Sequence, residues 1–447
     1  MSITKRFWPQ AEAGVGKGLL LGTALTLLAS ESWLTIGAFS WVVTLGWLCL
    51  LMQSGLKASK IRTAFCVIIL VLQLLPLLYF KYWDFFFNDI MGLGVRMPSV
   101  IIPMGLSFYS FQIIGFWVDN LRVPQPKPKL IDYLNFAAFF PQIVAGPIEK
   151  REELLPQMQK FRFRLHLDKL DQALSWTILG LGYKMIIADN IALCMENFYV
   201  DPNIPWQVWF ECLAFGLRIY FDFAGYSFIA VGVGLFFGVQ LTLNFRSPYW
   251  ATGLREFWHN WHVSLGTWLK DYVYVPLGGK RVKLWALNIL MVFLVSGIWH
   301  GAGWGFLIWG LLHGIGMIAC NLLPQINGLT WLKRLATFTF CTAAWLFFYE
   351  QDSEIMFNKA LSLVNITDYS FPTAESIRLL LGENSNILTT GLITGLGMLA
   401  LGMEGWSLRK KAEPYTHLRH PAIIVATAAL IVLLSPIEES SFIYFNF

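Results

Sequence analysis

Ser296-Gly297-Ile298-Trp299-His300-Gly301-Ala302-Gly303-Trp304 follows an apolar run at residues 284–295, and a second apolar run at 306–312 comes just after it. A histidine set between two such runs lies at or near membrane depth. An ionisable side chain is costly there and marks a functional site by default. Gly297 and Gly301 leave room for close approach of backbone or of a thin acyl chain.

Composition agrees with a membrane setting. Of 447 residues, 56% are hydrophobic and only 14% charged, against roughly 25% charged in soluble proteins. Several apolar stretches reach the roughly 18 residues that span a bilayer. The expected fold is an all-α polytopic membrane protein with about ten to twelve membrane segments, some of them broken or re-entrant. The net charge of +5 is not a nucleic-acid signal, because the basic residues fall in short clusters beside apolar runs. There they set topology and meet anionic lipid. Six scattered cysteines, without a CxxC pair, read as packing residues.

The chain divides into N-terminal membrane helices (1–99), a core (100–323) and C-terminal membrane helices (324–447) with an exposed loop at 350–386. Within the core, residues 100–118 carry the polar stripe Ser107, Tyr109, Ser110 and Gln112, which should face other helices or a cavity. Residues 131–148 are interrupted by Pro141, Gly146 and Pro147, so they read as a broken segment that must be buried in protein or line water. Arg218 and Asp222 stand at i,i+4 in a long apolar run, a spacing that suits an internal ion pair. A cleaved signal within residues 1–30 is less expected than a first helical hairpin, because a second apolar run begins at Trp33.

Two histidine settings carry candidate chemistry. His259 and His262 lie in Glu256-Phe257-Trp258-His259-Asn260-Trp261-His262-Val263-Ser264, and three-residue spacing on a helix puts them on roughly one face. A zinc site would need a third protein ligand, and the chain has no HExxH motif and no cysteine partner nearby, so no metal is expected. The remaining readings are interfacial residues among tryptophans or, for His262, a part in a reaction. His300 reads either as a core histidine satisfied by a backbone carbonyl or as a general base that takes a proton from an attacking hydroxyl. His313, in the next apolar run, reads as helix packing. Neither a nucleotide-binding glycine loop nor a GxSxG elbow occurs.

A series of segments in fixed order resembles the membrane-bound O-acyltransferase (MBOAT) family, in its bacterial branch of alginate O-acetylation and teichoic-acid D-alanylation proteins. The segments are Pro103-Met104-Gly105-Leu106-Ser107-Phe108-Tyr109, Phe140-Pro141-Gln142-Ile143-Val144-Ala145-Gly146-Pro147-Ile148, Tyr220-Phe221-Asp222-Phe223-Ala224-Gly225-Tyr226-Ser227 and Asn244-Phe245-Arg246-Ser247-Pro248-Tyr249. They continue with residues 256–265, 268–279 and 297–302, and end at Phe442-Ile443-Tyr444-Phe445-Asn446-Phe447.

The resemblance implies a ring of helices around a thinned centre, with a tunnel joining cytoplasmic donor to extracytoplasmic acceptor. It places the family's membrane histidine on His300 and its second histidine on His262, with Trp299, Trp261 and Asp271 in support. No permanently bound cofactor is expected; the donor would be acetyl-CoA or another acyl thioester. The implied partners are the lipid bilayer, an extracytoplasmic SGNH-hydrolase-type acyltransferase and a polysaccharide acceptor, with the chain in the plasma (inner) membrane. Phe228-Ile229-Ala230 is closer to the teichoic-acid type, whereas residues 268–279 favour the alginate type. Acetyl transfer to an exported polysaccharide is the leading expectation. D-alanyl transfer to teichoic acid and transport of a lipid or glycan precursor are the alternatives.

Overall fold

The computed structural model describes residues 4–55, 60–95, 102–323, 328–369, 371–382, 387–437 and 442–443. It is helical throughout, with no strand among the described residues. Among the described residues, five helices are long and apolar enough to cross a membrane: Trp33–Gln53, Lys60–Phe80, Leu167–Glu196, Pro205–Phe236 and Trp304–Leu322. Trp285–His300 and Pro421–Leu434 are apolar but shorter. The chain is a multi-pass membrane protein.

Two compact units are separable. One comprises Met1–Leu174 and Ala230–Thr242, the other Ser175–Ile229 and Leu243–Phe447.

The first unit contains α1 (Thr4–Glu31), α2 (Trp33–Gly55), α3 (Lys60–Phe80), α4 (Leu106–Arg122), α5 (Leu130–Ala137) and α6 (Arg151–Lys160). Its membrane helices are joined by buried amides and hydroxyls rather than by apolar contact alone. Gln73 Nε2 donates to Val42 O at 2.9 Å, Trp117 Nε1 to Gln73 Oε1 at 2.9 Å and Tyr133 OH to Val43 O at 2.8 Å. Where lipid offers no hydrogen-bond partner, such cross-helix bonds specify which faces meet. Tyr109, Ser110 and Gln112 of the polar stripe are all buried on α4, against protein as expected. After α5 the chain turns irregularly through 138–150, and Phe139, Ile143, Ala145 and Ile148 are buried there, so the broken segment is enclosed by protein. Gly105 makes this possible at the start of α4. Its φ is +73°, and a Cβ there would stand 2.5 Å from Ile143 O.

A buried carboxylate closes the polar end of this unit. Glu149 accepts from Thr242 N at 2.6 Å and from Thr242 Oγ1 at 3.1 Å. Gln157 and Gln240 exchange bonds beside it, at 2.9 and 2.8 Å. Burial pushes the Glu149 carboxyl up to about 7 from its ordinary 4.5, against the opposing effect of the two Thr242 bonds. The folded state therefore holds this proton more tightly than the unfolded state. Its contribution is fully present below the ordinary carboxyl range and is lost as pH rises through 7. Glu149→Gln carries no such charge, so the melting midpoint of the wild type should fall by about 1–2 °C relative to the variant between pH 6 and 8. Parallel midpoints across that range would show that Glu149 is not charged at the cost expected.

The second unit holds most of α7 (Leu170–Leu181), then α8 (Asp189–Glu196) and the greater part of α9 (Pro205–Phe236). It continues with α10 (Leu254–Asn260), α11 (Val263–Leu269), α12 (Trp285–His300), α13 (Trp304–Leu322), α14 (Thr330–Ala344) and α15 (Leu346–Tyr349). The last four are α16 (Ser353–Val364), α17 (Ala374–Leu381), α18 (Ile387–Arg409) and α19 (Pro421–Leu434). Helices α12 and α13 form a hairpin packed on glycine. A Cβ on Gly297 would lie 2.3 Å from Phe306 O, and one on Gly310 would lie 2.4 Å from Phe293 O. Small residues at a membrane crossing let backbones approach in this way. The crossing fixes the end of α12, and with it His300, against the start of α13.

Of the expected 350–386 loop, residues 353–364 and 374–381 are helical, and residues 370 and 383–386 lie outside the described residues. Asp352 caps α16 by accepting from Glu354 N and Ile355 N. Lys359 ties that helix inward through Glu211 at 2.8 Å and Glu350 at 2.9 Å.

Candidate active site

His300 is the last residue of α12 and is 2% exposed. Its ring is surrounded by Trp299, Trp309 and Phe348, with centroids at 4.9, 5.2 and 5.1 Å. The second histidine reaches the same place by another route. Helix α10 ends at Asn260, and His262 takes a left-handed conformation, φ 45° and ψ 54°, before α11 begins at Val263. His259 and His262 therefore do not share a helix face, contrary to what their spacing suggests: Trp261 is extended and breaks the helix between them.

The loop at residues 244–246 holds that break. Asn244 O accepts from Val263 N and Asn244 Oδ1 from Ser264 N, each at 3.0 Å, while Arg246 N donates to Asn260 O at 3.0 Å. The result buries His262, 1% exposed, with its ring 4.7 Å from Phe223, 5.7 Å from Trp299 and 6.5 Å from His300. Burial holds the His262 imidazole down at about 3, so it is neutral at any physiological pH.

A cavity of about 540 Å³ opens beside these histidines, and His262 lines it while His300 does not. Trp258, Ile289, Val292, Phe293 and Ser296 are among its lining residues, so much of its wall is apolar. Its mouth carries Arg246, Arg255, Lys270 and Lys280, all exposed, together with His259. Arg255 also bonds Asn321, another lining residue. Four cations over an apolar throat form a site for a ligand with an anionic head and an apolar or thin tail. These cations are what sequence reading missed. The signal lies in the polar and aromatic residues of 244–283, whose density along the chain does not show that one cavity gathers the four cations.

The supporting residues separate into three situations. Trp299 packs against both histidines, its ring 5.7 Å from His262 and 4.9 Å from His300. Trp261 stands behind the loop, stacked on Phe257 at 5.4 Å and against Trp345 and Phe245 at 5.1 Å each, so it acts on His262 through packing. Asp271 faces Lys270 at 3.7 Å and does not line the cavity. His313 is buried in α13 and accepts from Trp258 Nε1 at 3.2 Å, consistent with a packing histidine.

The expected Arg218–Asp222 ion pair is not what forms. Asp222 binds Lys184 at 2.9 Å, and Lys184 also binds Asp189 at 2.6 Å. The cause is a π-helical turn at Gly182–Ala188, together with Gly225, where a Cβ would stand 2.9 Å from Lys184 N. The helices come close enough for a lysine of the neighbouring helix to reach Asp222 before an arginine one turn away along α9. The other carboxylate oxygen of Asp222 accepts from Ile443 N at 2.7 Å. Phe442 packs on Tyr226 at 4.9 Å and on Phe223 at 6.0 Å, so the segment touches the ring that backs His262. Tyr444, Phe445, Asn446 and Phe447 lie outside the described residues.

A polytopic helical protein with two buried histidines beside a cation-mouthed cavity has the parts of a membrane-embedded transferase, and sequence comparison agrees. The profile of the membrane-bound O-acyltransferase family, MBOAT, matches residues 120–352. A peptidoglycan O-acetyltransferase of Helicobacter pylori is 32% identical over 83% of this chain and 80% of its own length. A Pseudomonas aeruginosa protein named "probable alginate O-acetylase AlgI" is 32% identical over 78% of this chain and 68% of its own. A teichoic acid D-alanyltransferase of Bacillus subtilis is 29% identical over 58% of this chain and 68% of its own. The chain belongs to the MBOAT family and is an acyltransferase.

Proposed function

We propose that this enzyme takes an acetyl group from a cytoplasmic thioester, acetyl-CoA or a carrier-bound equivalent, and passes it across the plasma (inner) membrane for O-acylation of an exported envelope polysaccharide. The observation that carries the reading is the placement of His262 on the wall of the cation-mouthed cavity with His300 one ring behind it. The cations at Arg246, Arg255, Lys270 and Lys280 suit the phosphates of a nucleotide or phosphopantetheine arm, and the apolar throat suits the arm itself. In the transfer a hydroxyl oxygen attacks the thioester carbonyl, a C–O bond forms and the C–S bond breaks. His300 takes the hydroxyl proton and returns it to the departing thiolate. His262, neutral, orients the thioester or relays that proton. No metal takes part, and the acyl donor is a substrate rather than a resident cofactor.

In this reading the whole chain forms about ten to twelve membrane segments ringed about a thinned centre, with residues 100–323 as the catalytic core. An extracytoplasmic SGNH-hydrolase-type protein then carries the group to the glycan. D-alanyl transfer from a carrier protein is the second reading. It is favoured by the similarity to teichoic acid D-alanyltransferases and by a mouth that would accept the same phosphate-bearing arm.

The test uses the purified protein in lipid nanodiscs with acetyl-CoA. Arg246→Glu combined with Lys280→Glu should raise KM for acetyl-CoA about tenfold or more while leaving kcat nearly unchanged, and added salt should narrow the gap. Release of CoA should require His300. A chain that binds a glycan precursor and releases no thiol would instead be a transporter. Activity only with a D-alanyl-loaded carrier would establish the second reading.

A further inference from the structure

One fully buried polar cluster has no part in the chemistry above. Glu404 of α18 is 0% exposed, and its Oε1 accepts from Tyr183 OH at 2.7 Å and Tyr220 OH at 2.8 Å. Tyr220 OH lies 3.2 Å from Tyr415 OH, and Tyr415 OH accepts from Ser247 N at 2.8 Å. A carboxylate, three phenols and a backbone amide enclosed in a helical bundle form an expensive arrangement unless every member is satisfied by the others.

The cluster ends on the loop that holds His262. Ser247 is itself left-handed, φ 52°, a conformation a serine adopts only when held. Its neighbours along the loop bond both flanks of His262: Arg246 N to Asn260 O, and Asn244 to the amides of Val263 and Ser264. Helix α18 grips the far side of the same loop, where Trp250 Nε1 donates to Leu401 O at 2.8 Å. A Cβ on Gly405 would come within 2.4 Å of the Trp250 ring.

We propose that Glu404 and Tyr415 are positioning residues for His262: the carboxylate orders the tyrosines, Tyr415 pins Ser247, and the pinned loop sets the left-handed turn that aims the imidazole. The inference deepens the reading of His262 as part of the reaction site and rests on it. Neither residue touches substrate. Both act through the 244–247 loop.

Tyr183 supplies the control, since its hydroxyl bonds the same carboxylate but has no contact with Ser247. Tyr415→Phe and Tyr183→Phe each delete one buried hydroxyl and should cost similar stability. Only Tyr415→Phe frees the loop. It should lower kcat about 10- to 100-fold with KM for acetyl-CoA nearly unchanged. Tyr183→Phe should stay within about twofold of wild type at matched membrane abundance. Glu404→Gln should retain activity, because the amide oxygen accepts from both tyrosines, whereas Glu404→Ala should resemble Tyr415→Phe.

The same series, carried as the only copy in cells, is read by alkaline release of ester-linked acyl groups from the envelope, which does not presuppose the donor. Equal activity of the two tyrosine variants, or loss in Glu404→Gln equal to that in Glu404→Ala, overturns the proposal. Full activity of His262→Gly would instead remove the parent reading.

Discussion

Replacing His300 by alanine should leave a folded membrane protein that no longer acylates. The ring is 2% exposed at the end of α12, and the hairpin that carries it is held by the Gly297 and Gly310 crossing rather than by the imidazole. Truncation therefore removes a proton acceptor and leaves a small void among Trp299, Trp309 and Phe348. General-base assistance is worth about 10²–10⁴ in rate. Ester-linked acyl groups on the envelope should fall by that factor while protein abundance in the membrane stays near normal. His300→Gln fills the space without a titratable base and should be as inactive. Acylation within about threefold of wild type in both variants would remove His300 from the chemistry.

His262 permits a sharper separation of folding from function. Its φ of 45° is a conformation that costs a non-glycine residue about 1–2 kcal/mol. His262→Gly relieves that cost while deleting the ring, and His262→Ala deletes the ring and keeps the cost. Both should lose about 10²-fold or more in activity, yet the glycine variant should be more stable than the alanine variant by roughly 1 kcal/mol. The neutral state of the ring adds a pH signature. Burial holds it down at about 3, so wild-type activity should not decline through His262 protonation as pH falls from 7 to 5. Activity retained in His262→Gly would make the residue a local structural device and remove it from the chemistry.

Much of this was legible in the residues. The span of α12, the burial of the broken segment expected at 131–148 and the place of His300 at the end of an apolar helix follow from hydropathy, proline and glycine. Such features depend on neighbours along the chain, and the physical cost of polar groups in lipid makes them strong signals. The pairing of Asp222 failed for the same reason in reverse. An i,i+4 rule sees only one helix, and the lysine that wins sits 38 positions away in sequence (222 − 184), across a π-turn.

By itself, then, the sequence determined that this is a helical membrane acyltransferase of the MBOAT family with two histidines in its ordered motifs. Only the tertiary structure decided that His262 leaves the helix, that its ring comes 6.5 Å from His300, and that cations from residues 246 to 280 share one cavity mouth. Those facts depend on backbone hydrogen bonds between loops distant in sequence and on glycine contacts between helices. No periodicity along the chain encodes them.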